Sequence, residues 1–119
     1  MSAVSRCLLV ASLMLAVPHA VAQDVIELSL VNRTGGALLD LFMAPADSQA
    51  WGPDLLRDVI LDDGATARLS VPSPTNSCRW DLKIRDKDGR EILWQDLDVC
   101  SARTFVLFED GGRAWVEPQ

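Results

Sequence analysis

The sequence predicts an all-β domain: a small antiparallel β-sandwich of six to seven strands, with one short helical turn and one disulfide. Three observations carry that prediction. Apolar and polar residues alternate at period two along most of the chain, the pattern of strands buried on one face. Turn residues (Gly, Pro, Asn, Asp) interrupt that pattern at short intervals, a spacing that suits a sandwich or small barrel. Two cysteines, Cys78 and Cys100, remain once the N-terminal leader is set aside.

The leader comes first along the chain. Arg6 precedes an apolar run from Cys7 to Val17 broken only by Ser12, and Pro18 ends it. Ala20-Val21-Ala22 supplies the small-x-small pattern of a signal-peptidase site, so residues 1–22 read as a secretory signal cleaved before Gln23. A spanning helix needs ~20 apolar residues, about twice this run. Cys7 precedes the run, which is the wrong place for lipid attachment. Residues 23–119 are then one domain in the periplasm or the medium, with no membrane span after cleavage.

Within that domain, Asp24 to Asn32 sets Ile26, Leu28 and Leu30 on one face, and Arg33-Thr34-Gly35-Gly36 turns the chain. Leu38 to Ala44 follows, with Leu39, Leu41 and Met43 expected inward. Pro45 to Asp58 is too irregular for a strand. Pro53 suits the first turn of a helix, where its missing N–H has no partner to lose, so one short helical turn is expected there. Val59 to Leu61 is briefly extended before the Asp62-Asp63-Gly64 turn, and Thr66 to Val71 is a further strand ending at the loop Pro72 to Asn76. Arg79 to Asp86 and Arg90 to Val99 alternate Trp80, Leu82, Ile84, Ile92, Trp94 and Leu97 with polar residues around Asp86-Lys87-Asp88-Gly89. They form a hairpin. Its open end carries Cys78 and Cys100, an even pair that an oxidising compartment joins. Arg103 to Glu109 and Arg113 to Glu117 make a last hairpin about Asp110-Gly111-Gly112.

Charge and composition exclude several functions. The chain holds 11 basic and 17 acidic residues; losing Arg6 with the leader leaves a net charge of −7. Nucleic-acid affinity rests on Lys and Arg displacing counterions, so no nucleic acid is expected as partner. The one histidine, His19, lies in the leader, and the chain has no tyrosine. That removes the usual general base, the Ser-His and Cys-His nucleophiles and imidazole metal ligands. No catalytic residue and no cofactor is assigned. A pair of carboxylates could still support hydrolysis, but with this many acidic residues proximity alone means little.

Two segments are candidate sites. Trp51-Gly52-Pro53-Asp54-Leu55-Leu56 puts an aromatic and two leucines in a loop. It is either a plug for one end of the sandwich or a contact surface, since Trp is favoured where partners dock. The binding reading names Trp51, Asp54, Leu55 and Leu56, with Asp54 orienting the loop or meeting a basic group. Asp86-x-Asp88-Gly89 opens like a calcium loop, which makes Asp86 and Asp88 alternative ligands of a stabilising Ca²⁺. The later ligand and flanking helices of such a loop are missing, so a plain hairpin turn is the simpler reading. The expected function is a non-catalytic exported binding module whose partner is a protein or small ligand of the cell envelope.

Asn32-x-Thr34-Gly35, Trp51-Gly52-x-Asp54-Leu55-Leu56, Cys78-x-x-Asp81-Leu82, Asp88-Gly89 and Cys100 together resemble a group of small exported bacterial proteins of unassigned function. The resemblance spans most of residues 23–119. It implies a secreted domain with that cysteine pair and supplies no catalytic residue.

Overall fold

The computed structural model describes residues 25–73 and 76–119. The leader, 1–22, and its cleavage point lie outside them. Seven strands follow one another: β1 (Val25–Arg33), β2 (Leu38–Pro45), β3 (Thr66–Pro72), β4 (Arg79–Asp86), β5 (Glu91–Asp98), β6 (Thr104–Asp110) and β7 (Arg113–Pro118). They build a four-stranded sheet in the order β3-β1-β6-β7 and a three-stranded sheet in the order β2-β4-β5. The inward residues of the two sheets make one core. Leu28 and Leu30 meet Leu41, Leu82, Ile84, Trp94 and Leu107, all buried. Each such side chain contributes about 1.5–3 kcal/mol by leaving water.

Three features differ from the sequence reading. The sandwich is not wholly antiparallel, because β1 runs parallel to β6 with Ser29 opposite Thr104 and Arg33 opposite Phe108. Strand alternation says which residues point inward and is silent on which strand lies alongside. Second, the pairing of β2 with β4 shifts between Leu38 and Asp40. That bulge adds a residue and moves the inward face by one position, so Leu38 is fully buried and Leu39, expected inward, is only half-buried.

Third, the described residues contain no helix. Where a helical turn was expected, Leu55 gives its N–H to the Leu41 carbonyl at 2.8 Å, and the Asp54 carboxylate takes the Leu56 N–H at 3.0 Å. Those amides are then unavailable to a helix. The chain turns instead through Arg57 (φ 49°) and Asp58 (φ 66°), closed by the Val59 N–H on the Leu56 carbonyl at 3.0 Å. Two successive positive φ values mark a left-handed turn.

Cys78 and Cys100 are joined, with Cα atoms 5.1 Å apart. The bond closes the β4–β5 hairpin at the end opposite its turn, beside the Val99 N–H to Cys78 carbonyl bond of 2.8 Å. Across the sandwich, the buried Trp94 indole of β5 donates to the Phe108 and Trp115 carbonyls of the other sheet at 3.2 and 2.9 Å.

Candidate functional site

The open edge of β2 is occupied by its own chain. Gly52 donates to the Met43 carbonyl at 3.1 Å, and Leu38 and Leu61 exchange two backbone bonds of 3.0 Å. Asp54 Oδ1 accepts the Leu41 N–H at 3.0 Å. Residues 52–61 therefore do for β2 what another strand would do, satisfying its outward amides and carbonyls. Pro53 fits between two of these contacts because it has no N–H to place.

Holding the loop against β2 leaves a groove of about 300 Å³ between the edge strand of one sheet and that of the other. Met43 and Pro45 of β2, Ala50, Gly52, Pro53 and Leu55 of the loop, Val71 and Pro72 of β3, and Trp80 of β4 line it. None of these side chains ionises. Trp80 is fixed by its indole N–H on the Ser77 carbonyl at 2.8 Å. A concave apolar surface of this kind accepts an apolar group and has no means of moving a proton.

The four loop residues separate in role. Leu55 lines the groove, and Leu56 is buried in the core. Asp54 is spent on the Leu41 and Leu56 amides, so it positions the loop. Trp51 does not line the groove. The Lys83 ammonium lies 4.6 Å from its ring centroid and 5.5 Å from that of Phe42, a cation held between two π faces.

No family model matches this chain, and no curated protein matches it. Among solved structures, the NMR structure of a protein from Eubacterium rectale superposes with a TM-score of 0.51, covering 82% of this chain and 93% of that one at 13% identity. At that identity the likeness bears on the fold alone.

Of the two acidic candidates, Asp86 is engaged inside the fold, whereas Asp88 is exposed and gives Asp86 only its backbone N–H. Both Asp86 oxygens have partners: Oδ1 accepts the Asp88 and Arg90 N–H groups at 2.9 Å each, and Oδ2 meets the Arg90 guanidinium at 2.9 Å. Burial pushes its carboxyl up, and the bonds from Arg90 and Asp88 outweigh this to leave it below the ordinary aspartate range. A guanidinium thus stands where a calcium ion would need open carboxylate oxygens. Asp98 lies beside Cys78 and Cys100 in a cluster of metal-ligand type. Those sulfurs are bonded to each other, and Asp98 is bonded to the Ser101 hydroxyl at 2.7 Å and to the Cys100 and Ser101 amides.

One residue escaped the sequence reading as a functional part. Asp81 faces away from the core yet is buried, and its two oxygens accept the Asp96 N–H at 3.0 Å and the Asp47 N–H at 3.2 Å. Asp96 sits at φ 67° where the β4–β5 register shifts. Asp81 thus holds a bulge in β5 and the turn after β2 from the strand between them. The only hint in the sequence is an acidic residue wedged between the apolar Trp80 and Leu82.

Proposed function

We propose that the chain is a non-catalytic binding module, exported to the periplasm or the medium, that takes an apolar group of its partner into the groove beside Leu55. The groove carries the reading: its lining is apolar throughout, and a dedicated carboxylate, Asp54, holds one wall in place. The leader-like residues 1–22 and the Cys78–Cys100 bond support an oxidising location. The absence of histidine from residues 23–119 supports a binding role over catalysis.

The test is site-directed photo-crosslinking in the producing cells. A photoreactive residue at Ala50, in the groove lining, is compared with one at Lys87, at the far hairpin turn. A discrete adduct from Ala50 alone, lost on adding Leu55→Asp, is the expected result. Adducts from Lys87 alone, or none from either position with the protein folded, would overturn it.

A further inference from the structure

The two edge strands beside the groove are treated differently. The β2 edge is bonded to residues 52–61 at Leu38, Leu41 and Met43. The β3 edge is not. Ser29 of β1 gives its N–H to the Arg103 carbonyl, on the β6 side, so Leu28 and Leu30 on either side turn their backbone groups to β3. Their partners are Leu69 and Ala67. Backbone groups alternate along a strand, so the N–H and C=O groups of Arg68 and Ser70 point away from β1. Pro72 has the same parity, and proline is tolerated in a sheet where its missing N–H faces outward.

Along this bare edge runs a second cleft of about 290 Å³, lined by Leu55, Arg57, Arg68, Leu69 and Ser70. It shares Leu55 with the apolar groove. Arg57 and Arg68 are exposed, and among the described residues neither forms an ion pair, whereas Arg79, Arg85 and Arg90 each do. In a chain of net negative charge, two unpaired guanidiniums at one bare edge favour an acidic occupant.

We propose that β3 accepts an extended acidic peptide as an added strand, its apolar side chains entering the Leu55 groove and its alternate carboxylates meeting Arg57 and Arg68. This rests on the binding role proposed above and names the partner's chemistry. Backbone bonds to Arg68 and Ser70 supply the docking, and the period-two alternation of the partner supplies the choice. A second copy of the chain is the wrong occupant, because pairing two β3 edges brings the arginines of both copies to one seam.

The probe is a blocked heptapeptide alternating glutamate and leucine, titrated into ¹⁵N- and methyl-labelled protein by NMR. Expected are saturable shifts of the Arg68 and Ser70 amides together with the Leu55 and Met43 methyls. Lysine in place of glutamate should abolish them. Ser70→Pro removes one outward N–H without touching the β1 ladder and should weaken binding roughly tenfold, about one hydrogen bond, at an unchanged melting temperature. Should that variant not fold, Arg57→Glu with Arg68→Glu must reverse the preference in favour of the lysine peptide.

Methyl shifts without amide shifts would overturn strand addition and leave the groove reading standing. No shifts at either place would overturn both. Concentration-dependent broadening of the Arg68 and Ser70 amides without peptide would assign the edge to self-association and overturn the acidic partner.

Discussion

Asp54 reaches back to Leu41: its Oδ1 accepts the Leu41 N–H at 3.0 Å, and the same oxygen accepts the Leu56 N–H at 3.0 Å. One side-chain atom ties the loop to the edge of the sheet it covers. Asp54→Ala leaves both amides without that acceptor and is expected to cost about 1–3 kcal/mol. Asp54→Asn keeps a carbonyl oxygen in place and should cost less. Urea denaturation of the pair checks this, and equal losses would mean that charge, not the acceptor, matters.

Asp81 holds two neighbours at once, so its removal should be felt in both. Asp81→Ala is expected to lose about 1–3 kcal/mol, since it takes the acceptor from two part-buried amides. It should also speed hydrogen exchange at Asp96 and Asp47 ahead of the core strands. Uniformly faster exchange across β4 and β5 would contradict the local account.

Acid should unfold the domain through carboxyls held below their ordinary value. In Asp98 the Ser101 hydroxyl bond is the leading cause, opposed by burial and aided by the Cys100 and Ser101 amides; Asp86 is held down by Arg90 and Asp88. Because both folded values lie below 3.8, the unfolded chain takes up these protons first as pH falls. Their stabilisation is complete above the unfolded value and is lost as pH drops through the folded ones. Urea midpoints should therefore be level from pH 5 to 7, near which neither group titrates, and fall below 3.8. Asp98→Asn should make that acid slope shallower.

The disulfide closes a sequence separation of 22, and constraining the unfolded chain over such a loop contributes about 3 kcal/mol. Both cysteines are exposed, so dithiothreitol reaches them in the folded protein. Reduction, or Cys78→Ser with Cys100→Ser, should lower stability by that amount while the far-ultraviolet circular dichroism stays that of a β protein.

Calcium should leave the melting midpoint where chelator leaves it. The Asp86 oxygens already hold the Arg90 guanidinium and two amides, and displacing these charge-assisted and backbone bonds gives calcium little to gain. A calcium-dependent rise that Asp88→Ala abolishes would show the turn to be a metal loop after all.

Much of this architecture is legible in the residue order. Leu28 and Leu30, or Trp80, Leu82 and Ile84, announce their strands because a half-buried sheet imposes period two on side chains. Features set by contacts far along the chain are not legible. Nothing local to Leu38-Leu39-Asp40 reveals the bulge, which depends on the register against Asp86 and Arg85. Nothing near Asp54 says that its partner is Leu41. Arg57 and Asp58 look suited to a helical turn until the preceding amides are committed to β2 and Asp54. The groove follows the same logic, since Leu55, Val71 and Trp80 meet only when the two sheets close.

The parallel contact between β1 and β6 also governs the order of assembly. Ser29 waits for Thr104, about seventy-five positions later, before its side of the ladder can form. Sheets completed by such distant pairings fold slowly, on the millisecond-to-second scale, because loop entropy is lost before contacts compensate for it. A chain still lacking its last two strands lacks one of the two inner strands of its larger sheet and keeps only β1 and β3 as an isolated pair. Order then arrives late, and a truncation that passes through the edge strand β7 into β6 would take an inner strand of the sheet with it.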